Sequence, residues 1–183
     1  MKRNRWIRRF VIIVAVLFVV SRIVYVNRKY PQVEYKDIPI GETAEWDHNV
    51  NLTVETAKVY NQAEAVDKYG PDIVDAFDNG ADFVVVESKV LLSNQNDKEQ
   101  EVYLYDLNIE NRIYSNAIPQ EVQLNTEDDN LVIDLQPKEE RAVKICYKLF
   151  VDQFRNLKSY EIRAKDFWLS GKHYPVKNRW RLG

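Results

Sequence analysis

The sequence predicts a mainly β protein: an N-terminal transmembrane helix followed by an antiparallel β-sandwich that carries a short helical insertion. Three observations carry this. Residues 10–26 form an apolar run behind a cluster of basic residues. From residue 49 onward, short apolar and alternating runs recur between turn-forming residues, which is the pattern of a sandwich rather than of a bundle. Only the stretch Ala63–Phe77 breaks that pattern and shows helical spacing.

Lys2, Arg3, Arg5, Arg8 and Arg9 precede the apolar run Phe10–Val26, which is interrupted only by Ser21 and Arg22, and no acidic residue occurs before Glu34. Seventeen helical residues span roughly 25 Å at 1.5 Å each, slightly short of the ~30 Å hydrocarbon core. Arg22 lies near the far end, where it can snorkel, and Trp6, Tyr25 and Tyr30 suit the two interfacial belts. The positive-inside rule places the N-terminus in the cytoplasm and the rest of the chain outside. Residues 1–29 are therefore read as a cytoplasmic head and an uncleaved signal anchor. A cleaved signal peptide is the competing reading; Val19-Val20-Ser21 offers a poor cleavage site, and on that reading the domain is secreted.

Residues 30–48 read as a polar tether without periodicity, and residues 49–183 as the sandwich. Asn49–Tyr60 reads as a first strand, with Val50, Leu52 and Val54 alternating before Ala57 and Val59. Ala65, Val66 and Tyr69, then Ile73, Val74 and Phe77, give one or two helical turns around Gly70-Pro71, closed by Asp78-Asn79-Gly80. Phe83–Leu92 is apolar on both faces at its start, as a central strand is, and Asn94–Lys98 is a polar turn. Further strands are predicted over Val102–Ile109, Leu131–Leu135, Val143–Leu149, Tyr160–Ala164 and Tyr174–Leu182.

Charge and cysteine usage narrow the classes. Eight of the 26 Lys+Arg lie before residue 30, leaving 18 against 28 Asp+Glu, a formal charge near −10 for the remainder. Such a domain repels nucleic acid, so that class of partner is not expected. Cys146 is the sole cysteine, so no intramolecular disulfide forms and the core must stabilise itself.

Gly41-Glu42-Thr43, the run Phe83–Val90 closing on Ser93-Asn94, and Leu135-Gln136-Pro137-Lys138-Glu139 occur in an order that resembles the small exported immunoglobulin-like (telokin-like) domains of unknown function from low-GC Gram-positive bacteria. The resemblance covers residues 40–165. It implies an immunoglobulin-like β-sandwich tethered at its N-terminus, and it carries no functional residues with it. Lys138 departs from the glycine frequent at that position, and Ala63–Phe77 is longer than a plain inter-strand loop.

The chemistry-bearing residues are sparse. A sortase-like thiol enzyme would use Cys146 with a histidine and an arginine such as Arg155 or Arg163, because a thiolate needs a base or cation nearby. Cys146 instead follows Val143-Lys144-Ile145, and His48 and His173 are in the wrong order for that family. A signal-peptidase nucleophile is followed by methionine, and Met1 is the only one. Two distant histidines do not make a zinc set. Asp72, Asp75, Asp78 and Asp82, or Glu127-Asp128-Asp129, match no calcium loop. No metal, cofactor or catalytic residue is therefore expected. Aromatics are dense, including Tyr103, Tyr105, Tyr114, Tyr147, Tyr160 and Tyr174, and are read mainly as core. Phe167 and Trp168 form one candidate contact patch. Lys177, Arg179 and Arg181, alternating along the last strand, form a candidate basic stripe for anionic lipid or wall polymer. The expected function is a non-catalytic binding or envelope-assembly module at the cell membrane, meeting an envelope protein or polymer by a sheet face or edge. The alternatives are the thiol enzyme and a structural subunit of a membrane complex.

Overall fold

In the computed structural model, which describes residues 2–30, 32–47, 49–74, 80–111, 115–116, 131–154, 157–171 and 175–183, the basic head and apolar run are one helix, α1 (Lys2–Lys29). Nothing in its sequence breaks a helix, since neither Gly nor Pro occurs before Pro31. Its apolar residues surround the axis and are exposed all along it. A helix apolar on every side has no preferred face to lay against a core. By length and composition, Trp6–Lys29 is sufficient to cross a membrane. Residues 1–34 and 35–183 are two separate units.

The second unit is built from strands. They are β1 (Glu34–Ile38), β2 (Thr43–Asp47), β3 (Val50–Asn61), β4 (Phe83–Asn94), β5 (Gln100–Tyr103), β6 (Asn108–Glu110), β7 (Ser115–Asn116), β8 (Val132–Leu135), β9 (Glu140–Phe150), β10 (Trp168–Ser170) and β11 (Val176–Arg181). They form a four-stranded sheet in the order β2-β3-β4-β9, a five-stranded sheet in the order β1-β11-β10-β6-β7, and the pair β5-β8. The pairings within the four-stranded sheet are antiparallel, as are β10 with β11, β10 with β6, β6 with β7 and β5 with β8. The mainly β class, the antiparallel sheets and the central position of β4 are as the sequence predicts.

The two larger sheets share one core. Leu52 and Val54 of β3, Val84, Val86, Val90 and Leu92 of β4, and Val143 and Leu149 of β9 cluster with Ile109, Leu169 and Trp180 of the other sheet. Alternation along a strand sends every second residue to the opposite face. Phe83, Val85 and Cys146 accordingly join Tyr60 in a second cluster, closed by Ala65 and Ile73. Ala65 belongs to α2 (Gln62–Tyr69), and Ile73 to the 3-10 turn Pro71–Ile73 that follows it. A β-bulge between Val54 and Thr56 explains the broken alternation of β3. The extra residue shifts the inward face from Val50, Leu52 and Val54 to Ala57 and Val59, which pack on the first cluster. Gly171, just after β10, passes so close to Trp46 that a Cβ there would lie 2.2 Å from the indole.

Four expectations are corrected. Two strands, β1 and β2, lie within the segment read as a tether. All but Ile38 of β1 is exposed, so no alternation marks it. The run Val102–Ile109 is not one strand: the 3-10 turn Leu104–Asp106 carries the chain from the β5-β8 pair into the five-stranded sheet. Tyr160–Ala164 is not a strand but lies across two 3-10 turns, Ser159–Glu161 and Ala164–Asp166. Trp168 and Leu169, read only within an aromatic cluster, open the central strand β10, with Phe167 just before it. His48, Asp75, Phe77, Asp78, Asn79, Tyr114, Glu127, Asp128, Asp129, Arg155, His173 and Tyr174 lie outside the described residues.

Candidate functional site

Alternation puts Trp168 and Ser170 on the face of β10 opposite to Leu169, which is in the core. In register, Trp168 faces Arg181 of β11 and Glu110 of β6, Ser170 faces Arg179, and Lys177 lies two residues from Arg179 on the same face of β11. Two constellations result. The Arg179 guanidinium lies 4.5 Å from the Tyr35 ring centroid and 5.2 Å from that of Trp168, and its Nε donates to Asp37 Oδ1 at 2.7 Å. The stack ties β1 and β10 to β11 through a cation between two π faces. Beside it, the Lys177 ammonium and the Ser170 hydroxyl both donate to Glu110 Oε1. All three residues are buried, so the carboxylate satisfies both donors where water does not.

These positions correct the candidate contact residues. Phe167 is 1% exposed and packs edge-on against Phe154 with ring centroids 5.7 Å apart, so it is core rather than a contact patch. Trp168 is half-buried beneath Arg179, and its indole N–H is buried without a hydrogen-bond partner among the described residues. The basic stripe is not continuous at the surface. Lys177 is buried on Glu110, Arg179 is engaged by Asp37, and Arg181 alone of the three is exposed.

A third constellation lies beneath α2. Asn61 caps that helix through a capping box, accepting from the Glu64 amide while Glu64 accepts from the Asn61 amide. The capped helix delivers Lys68 and Tyr69, at its last turn, onto Glu87 of β4. Lys68 Nζ donates to both Glu87 oxygens at 2.9 and 2.8 Å and also bonds the Tyr60 hydroxyl. The Tyr69 hydroxyl donates to Glu87 Oε2, and the rings of Tyr60 and Tyr69 meet edge to face. Lys68 Nζ lies 4.1 Å from the Tyr60 centroid, whose ring also carries Lys58 at 4.5 Å. Burial alone would raise the Glu87 carboxyl, but the bonds from Lys68 and Tyr69 hold it below the usual value. Burial and the Glu87 bond push the Tyr69 phenol well above its ordinary range.

Cys146 belongs to this constellation, with the Tyr69 oxygen 3.7 Å from its sulfur. Burial pushes its thiol up to about 11, and the Tyr69 contact offsets that only in part. At neutral pH it is a protonated thiol on the inner side of a helix, whereas a nucleophilic cysteine needs a lowered pKa and access. Among the described residues no group of three or more His, Cys, Asp or Glu side chains could hold a metal ion. An open groove bordered by Asn61, Gln62, Val66, Asp82 and Ser159 flanks the start of α2.

The sequence reading missed both polar clusters. Glu87 carried the available signal, being a lone carboxylate inside Phe83–Leu92, where an unpaired charge would be costly. Glu110 gave none, since its partners Lys177 and Ser170 are sixty or more residues away.

On α1, the Arg22 guanidinium lies 5.4 Å from the Tyr25 centroid, and Lys29 Nζ lies 5.9 Å from Tyr25 and 5.5 Å from Tyr30. A family model described as "Domain of unknown function (DUF5028)" matches residues 29–178 of the chain, the whole β unit apart from its last residues. No curated protein and no solved structure matches.

Proposed function

The chain belongs to the family described as Domain of unknown function (DUF5028), and from that premise we propose that it is a single-pass membrane protein presenting a non-catalytic β domain outside the cytoplasm. In this reading the domain is an immunoglobulin-like sandwich of a low-GC Gram-positive envelope, and it binds or assembles with an envelope protein or polymer. The observation that carries the reading is α1. Its apolar residues are exposed on all sides, so they need a non-aqueous partner, and a bilayer is the partner its length fits. The basic residues at its start orient it with the N-terminus inside. The burial and protonation of Cys146 favour a binding role over the sortase-like alternative.

The test is crosslinking in intact native cells, followed by purification of the tagged full chain and identification of what accompanies it. A specific envelope protein or wall polymer is the expected outcome. Capture of nothing, under conditions that trap a control complex, would sink the assembly reading. Replacing Cys146 by Ala separates the classes: a binding module keeps its phenotype and a thiol enzyme loses it.

A further inference from the structure

We propose that the domain-proximal end of α1 is a docking site for anionic phospholipid headgroups, formed by Arg22, Tyr25, Arg28 and Lys29. This deepens the membrane-spanning reading of α1 and rests on it. Helical geometry puts Arg22, Tyr25 and Lys29 on one side, three and seven residues apart. Two cations lie near the Tyr25 ring centroid, Arg22 at 5.4 Å and Lys29 at 5.9 Å. All four residues are exposed, and α1 contains no carboxylate, so the helix itself supplies no counter-charge. Arg28 and Lys29 lie in the last turn, where the terminal carbonyls attract cations. Arg22 is nearly two turns further back, outside that field.

The spacing of charges sets the depth at which Arg22 meets the bilayer. From Arg9 to Arg22 the helix rises about 20 Å, against a hydrocarbon core of ~30 Å. Both residues cannot lie at headgroup depth by backbone position alone. With Arg8 and Arg9 in the opposite headgroup layer, Arg22 reaches a phosphate by extending toward the domain side, past Tyr25. There it meets the same layer as Arg28 and Lys29, and three cations with no internal carboxylate select a headgroup of net negative charge. A zwitterionic headgroup presents its phosphate beside its own ammonium and compensates them less well. Each such cation near an anionic surface is worth about a fivefold preference.

The experiment uses the full chain in nanodiscs of phosphatidylcholine containing a minor share of phosphatidylglycerol, with lipids retained on release read by native mass spectrometry. The wild-type chain is expected to retain phosphatidylglycerol in excess of its share. Arg22→Leu lowers that excess about fivefold, and Arg22→Leu with Arg28→Gln and Lys29→Gln lowers it further. Arg22→Leu also lengthens the apolar run, so insertion is preserved. Arg8→Gln with Arg9→Gln, at the opposite end of the span, leaves the effect of the Arg22 substitution unchanged. Alkaline carbonate extraction is run on every variant. A chain that stays inserted but shows no phosphatidylglycerol excess, or whose excess the triple substitution does not touch, overturns the lipid site and leaves the anchor standing. A wild-type chain released by carbonate overturns both.

Discussion

Two residues of similar chemistry, Phe167 and Trp168, stand side by side in the sequence and do different things. Phe167, in extended backbone just before β10, turns into the core, and Trp168, the first residue of the strand, turns onto the outer face under the Arg179 guanidinium. Phe167→Ala should therefore cost about 3–5 kcal/mol of unfolding free energy. Arg181→Ala, at an exposed neighbour of the same sheet, should stay within about 0.5 kcal/mol. Urea denaturation of both variants checks the contrast, and equal small effects would contradict the placement of Phe167. Cys146 offers a second test at this scale. Its thiol is buried and held protonated, so the native chain should fail to react with an aromatic disulfide reagent at mildly alkaline pH. Reaction should appear only when denaturant is added; rapid labelling of the native chain would show an accessible thiolate instead.

At the scale of elements, α2 depends on both of its ends. Its eight residues are too few to form a helix alone, so the capping box at Asn61 and the Lys68–Glu87 anchor hold it on β4. Asn61→Ala removes the acceptor for the Glu64 amide and should cost about 1 kcal/mol. The loss should be local first, with amide exchange accelerating in Gln62–Tyr69 before the β4 strand responds. Uniform acceleration across β3, β4 and β9 would mean that α2 is no separate unit of stability. The turn before β9 shows the opposite economy. Lys138 holds a positive φ of 61° where the resemblance leads one to expect glycine, and its ammonium bonds Gln95 O at 2.7 Å. The side chain recovers by a contact part of what the backbone loses in the left-handed region.

For the whole molecule, the titrating groups predict how stability follows pH. Glu87 is held low by Lys68 and Tyr69 against the effect of burial. Glu139 is held low by the Gln136 amide and Arg141. Carboxyls depressed on folding contribute stability that is present above their ordinary value of 4.5 and lost as pH falls through the lower folded values. Tyr69 and Cys146 are raised by burial, and Lys68 is raised by Glu87 and Tyr60 in spite of it. Groups raised on folding contribute below their ordinary values and lose that contribution as pH rises through the folded ones. The contribution of these five groups should accordingly be flat between 4.5 and 9.0 and fall on both sides. Glu87→Gln should shrink both falls together, because its carboxylate is shared by the acidic and the basic limb. A profile unchanged by that substitution would detach the Glu87 cluster from the stability of the fold.

Composition and short-range pattern are enough for part of this architecture. The apolar run of α1, the central strand β4, the helical break at α2 and the mainly β class were all legible there. Each follows from periodicity within a dozen residues or from the transfer free energy of a continuous apolar stretch. The edge strand β1, the split of Val102–Ile109 and the 3-10 turns of 159–166 were not legible. An exposed edge has no buried face to impose alternation, and a chain that changes sheets keeps its apolar content while changing its neighbours. The burial of Lys177 was not legible for a related reason. Alternation gives two faces, but it does not say which is covered, so Lys177 reads as surface until Glu110, sixty-seven residues away, is brought onto it. Where charges are paired emerges only in the folded chain, because pairing depends on distances between residues far apart in sequence.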